Sequence, residues 1–96
     1  MPPEIAQRLR ERSIEIVETE KHYLLTRGEC LALVERTPEG IGSIGSTGML
    51  TPNGLAFLVW QDGSAMLAAK GNFTAATASQ ARAIGDFSSD LKSVLG

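Results

Sequence analysis

Residues 38–54 read Pro-Glu-Gly-Ile-Gly-Ser-Ile-Gly-Ser-Thr-Gly-Met-Leu-Thr-Pro-Asn-Gly and hold five of the ten glycines and two of the four prolines. No α-helix runs through such a stretch. Proline removes a helix donor, and each glycine weakens a helix. The middle of the chain is therefore extended or looped, and helices are confined to the two ends. The same stretch divides the charges. Residues 1–39 carry 14 charged side chains, whereas 40–96 carry six.

The N-terminal part opens with Pro2-Pro3, residues tolerated in the first turn of a helix. Ile5, Leu9, Ile16 and Val17 then fall roughly on one face, with Ser13 at the apolar position between them. Two readings follow. Either one helix spans 3–20, or a helix over 3–12 gives way to a strand near Ser13. The β-branched run Ile14–Thr19 favours the second. Strands are expected over His22–Arg27 and Cys30–Arg36, joined at Gly28-Glu29. Glycine first in that pair suits a type II′ turn. Residue i then pairs with about 57 − i, which sets His22 opposite Glu35 and Cys30 opposite Arg27.

The 38–54 stretch reads as a glycine-interrupted strand, Ile41–Leu50, between two proline turns. Leu55–Trp60 and Ser64–Lys70 flank Gln61-Asp62-Gly63. Asp-Gly between apolar runs marks a hairpin, because both turn residues need positive φ. Gly71–Ala76 reads as a connection. Thr77 and Gln80 have capping-box spacing. Ile84, Phe87, Leu91 and Val94 then repeat as the apolar stripe of an amphipathic helix. Ala81, Gly85 and Ser89 lie beside that stripe. Gly85 either lets the helix approach the sheet or sits on the surface.

Gly40-Ile-Gly-Ser-Ile-Gly45 satisfies the G-x-G-x-x-G spacing of dinucleotide-binding loops. That motif must join a strand to a helix whose N-terminus holds the pyrophosphate. Here a turn precedes it and more glycine and proline follow, so the context excludes that use. The stretch serves instead as a bent strand or as a ligand loop. In the ligand reading the candidate binding residues are Ser43, Ser46, Thr47 and Trp60.

The chain has one histidine and one cysteine. The hairpin register separates them, which argues against a Cys–His nucleophile pair. Neither a zinc ligand set nor a calcium loop is legible, and no cofactor motif stands up. No catalytic residue is assigned. The net charge is −2, and the aromatics do not alternate with basic residues. Both points argue against nucleic acid as a partner. The longest apolar run, Leu55–Trp60, is far short of the ~20 residues that a membrane helix needs. A lone cysteine and the lack of a signal sequence suggest a cytoplasmic protein.

The expected fold is a single α+β domain over residues 1–96. An antiparallel meander of four to six strands carries the N- and C-terminal helices on one face. Leu31–Val34 and Leu55–Trp60 are apolar on both faces, yet the helices cover only one. A second copy of the chain is the simplest cover for the other. The expected protein is therefore a non-enzymatic homo-oligomeric interaction module, most simply a dimer. The alternative is a small-molecule-binding protein or small enzyme with its site near residues 40–60, within one chain or between subunits; a third reading is a regulator of an unidentified protein or other macromolecular partner.

Overall fold

The computed structural model describes residues 1–52 and 54–95, with the backbone but not the side chain of Ser46. The elements run α1 (Pro3–Glu11), β1 (Glu15–Glu18), β2 (His22–Arg27), β3 (Cys30–Thr37), β4 (Gly40–Thr51), β5 (Gly54–Gln61), β6 (Ser64–Ala69), β7 (Asn72–Ala75) and α2 (Ala78–Leu95). All strands join one antiparallel sheet in sequence order. The class is α+β, but the sheet has seven strands rather than four to six.

The additional strand is β7, in the segment read from sequence as a connection. Lys70 and Gly71 form a second tight turn with φ of 49° and 80°. Lysine carries a Cβ and seldom adopts that conformation, so this turn is hard to see in the sequence. The two glycine hairpin turns behave as their residues require, whereas the expected turn through Asn53 lies outside the described residues. Asp62 and Gly63 both have positive φ, and Gly28 has φ of 59°. The β2–β3 register sets His22 opposite Glu35 and Cys30 opposite Arg27, as the 57 − i rule demands.

Helix α1 stops because Ser13 turns left-handed, with φ of 60°. The Ser13 N–H donates to the Arg10 carbonyl at 2.9 Å and the Ile14 N–H to the Leu9 carbonyl at 3.0 Å. These two bonds form a Schellman closure. Leu9 and Ile14 are buried together beside it. The choice between one long helix and helix-then-strand thus falls to the second. At the other end the capping box forms as read. The Gln80 N–H donates to Thr77 Oγ1 at 3.1 Å and the Thr77 N–H to Gln80 Oε1 at 2.9 Å.

One face of the sheet carries the core. Cross-strand pairing puts Tyr23 with Val34, Leu25 with Ala32, Cys30 with Met49, and Met49 with Ala56 on this side. Ile84, Phe87, Leu91 and Val94 from α2 and Leu9 from α1 join the same buried cluster. Helix α2 lies over β3 and β4, and α1 packs beside it. Gly85 is exposed and meets nothing within 4 Å, so it sits on the surface and not against the sheet.

Among the described residues, one ion pair ties the N-terminal half to α2 and a second joins β1 to β3. Arg27 donates to Asp90 Oδ2 at 2.6 Å and to the Arg12 carbonyl at 3.2 Å, with its guanidinium over the Phe87 ring. One side chain so joins β2, the end of α1 and α2. Arg36 bonds Glu18 at 2.6 Å and the Thr19 carbonyl at 2.8 Å, above the Tyr23 ring.

Candidate functional site: the open face of the sheet

Strand residues alternate between faces, so the partners of the core positions fix what lies opposite. A single cross-strand row, Thr26, Leu31, Gly48, Phe57, Ala68 and Phe73, crosses six strands on the side away from the helices. Val17, Leu24 and Leu33 line up beside it at one end, Leu50 with Leu55 at the middle, and Val59 with Met66 at the other. Among the described residues five large hydrophobic side chains are exposed: Val17 at 50 %, Leu50 at 60 %, Leu55 at 37 %, Trp60 at 68 % and Phe73 at 53 %. All but Trp60 belong to this open face.

Gly48 makes the face smooth. A Cβ there would run into the Ala56 carbonyl oxygen and stand 3.0 Å from the Phe57 ring. Without one, the ring lies close over the β4 backbone. Leu31, next in the row, is 7 % exposed although no helix covers it.

The residues read as ligand contacts are dispersed by the fold. Strand β4 is continuous from Gly40 to Thr51 and has register shifts against β3 between Ala32 and Val34 and between Val34 and Arg36. No helix follows Gly45, so the G-x-G-x-x-G string is strand. Ser43 borders a shallow depression on the open face with His22, Leu33, Glu35, Gly45 and Phe57. Thr47 pairs with Ala32 and points to the opposite, helix-covered face. Trp60 pairs with Ala65 near the end of β5 on the helix side and is largely exposed. The Ser46 side chain lies outside the described residues. Ser43 and Thr47 therefore do not share a cavity.

A larger cleft of about 780 Å³ opens on the helix side. Ala56, Leu67 and Ala69 floor it, while Thr51, Asn72, Thr74, Thr77 and Gln80 supply polar groups around Lys70. No local pattern of residues points to it, because the cleft needs β7.

Cys30 faces the core and His22 the open face, so they form no catalytic pair. Burial pushes the Cys30 thiol above the ordinary 9.0; Arg27 pulls it down, and Glu29 pushes it up. The raised value means that the folded state favours the neutral thiol. Its stabilising contribution is present below the unfolded value and is lost as pH rises through the folded one. Cys30 should accordingly resist Ellman's reagent at neutral pH until denaturant is added. Urea melts should show a steeper loss of stability above pH 9 in the wild type than in Cys30→Ala. Rapid labelling of the native protein would contradict this account.

Among the described residues no three His, Cys, Asp or Glu side chains cluster as metal ligands, and no helix is long and apolar enough to cross a membrane. Comparison with protein-family models, with curated proteins and with solved structures finds no match.

Proposed function

We propose that this chain is a non-enzymatic interaction module whose open sheet face is covered by a second copy of itself, most simply as a homodimer. One observation carries the reading: four of the five exposed large hydrophobics project from a single face without a helix over it. Scattered apolar side chains are ordinary on a monomer, but a contiguous patch spanning the sheet is the mark of a contact surface. Two such faces stack about 10 Å apart in a sandwich, with their side chains interdigitated. Self-association also matches the charge pattern, since residues 40–96 contribute few charges to be desolvated. The chemistry supports a non-enzymatic role, with Cys30 and His22 on opposite faces. A buried unpaired thiol suits a reducing compartment such as the cytoplasm.

Light scattering after size exclusion tests the proposal. The wild type should weigh at least twice the chain mass across the micromolar range. In Leu50→Glu/Leu55→Glu two charges enter the middle of the face at already exposed positions. This variant should lose at least half of that mass while keeping its circular dichroism. A wild-type monomer would end the proposal.

The helix-side cleft favours a second reading, a small-molecule site near residues 40–60. Thr51, Pro52, Gly54 and Ala56 line it, and Lys70 is its charged residue. An anionic ligand fits that lining. A thermal-shift screen of carboxylates and phosphates should find a stabiliser whose effect disappears in Lys70→Met. A negative screen removes this reading.

A further inference from the structure

The two edges of the sheet are built differently. Strand β1 has Glu15 and Glu18 among its four residues, and Glu18 is tied to Arg36. Charges of this kind discourage pairing with another strand. Strand β7, Asn72–Ala75, has no charge, no proline and no bulge, and all four residues are exposed.

The direction of its backbone groups follows from one bond. The Ala76 N–H donates to the Ala65 carbonyl at 3.0 Å. N–H and C=O groups alternate in direction along an antiparallel strand. Asn72 and Thr74 therefore turn towards β6, and Phe73 and Ala75 present their N–H and C=O groups outwards.

We propose that a second copy pairs with β7 about a two-fold axis through Thr74, making one continuous antiparallel sheet. In this register Phe73 pairs with Ala75 of the other copy, and Ala75 with its Phe73. Every outward N–H and C=O of the two residues is then used. Shifting the axis to Phe73 would bring the turn residue Gly71 opposite Ala75 and break the ladder. The two-fold register also keeps like faces on the same side, so the open apolar faces of both copies merge.

Charge selects a second copy as the occupant. The joint brings two charge-poor edges together and leaves the glutamate-rich β1 edges at the far ends of the joined sheet. A head-to-tail joint of β7 with β1 would meet Glu15 and Glu18 and would propagate without closing. This contact is separate from the stacking of open faces and stands or falls alone.

Thr74 sits opposite its own copy as a non-hydrogen-bonded pair, with Cα atoms ~4.5 Å apart. That separation is within disulfide range. Thr74→Cys in a Cys30→Ala background should oxidise to a covalent dimer in near-complete yield at micromolar concentration. It should do so also when Leu50→Glu/Leu55→Glu is added, which separates this contact from the face. Ser64→Cys should stay monomeric on denaturing gels. Ala75→Pro removes an outward N–H and leaves the β6 ladder intact. It should halve the assembly mass. Failure of Thr74→Cys to cross-link faster than Ser64→Cys would overturn the proposal. So would an unchanged mass in folded Ala75→Pro.

Discussion

Gly48→Ala should cost about 2–3 kcal/mol of stability, the scale of a strained insertion into a packed site. The added methyl would meet the Ala56 carbonyl oxygen, which is backbone, and the Phe57 ring at 3.0 Å. Neither gives way cheaply. Gly48 pairs with Phe57 and Met49 with Ala56 in the same ladder, so a shift of the carbonyl would break the sheet at its centre. A domain of this size has only about 5–14 kcal/mol to lose. Urea melts should show the midpoint falling with the slope unchanged. A loss below about 0.5 kcal/mol would mean that the β4–β5 backbones are freer than the pairing implies. The variant has a second consequence. A lifted Phe57 ring roughens the open face, so any Gly48→Ala that remains folded should also assemble more weakly.

Phe87→Ala should be the most damaging single truncation, at about 4 kcal/mol. The ring is fully buried at the centre of the α2 stripe, between the sheet and α1. Its loss leaves a cavity that rigid strands cannot close. It also removes the surface under the Arg27 guanidinium, 5.4 Å from the ring centroid, which is the link to Asp90. Thermal or urea unfolding followed by circular dichroism measures the effect. A cost under about 2 kcal/mol would place α2 less firmly on the sheet than the burial of its stripe indicates.

The parts of this fold that sequence reasoning recovers are those written in neighbouring residues. Gly28-Glu29 and Asp62-Gly63 determine their hairpins through φ, and the first of them determines the pairing of β2 with β3 residue by residue. Thr77 and Gln80 announce α2 because their capping bonds span three residues. The parts that escape depend on context. Lys70 adopts a conformation that its side chain disfavours, which hid β7 and with it both the cleft and the free edge. Ser13 closes α1 where glycine would be the usual signal. Arg27 and Asp90 are far apart in sequence, and nothing local joins them. The open face falls between these cases. Two-sided apolar strands imply it, but the Leu31–Gly48–Phe57–Phe73 row appears only once the register is known.

We propose that the open face meets its equivalent in another copy. Mixing isotope-labelled and unlabelled protein and recording isotope-filtered nuclear Overhauser contacts tests it most directly. Intermolecular contacts are expected from the methyl groups of Leu50, Leu55, Val59 and Met66. Intermolecular contacts confined to other surfaces, or none at all at concentrations where both are folded, would contradict it.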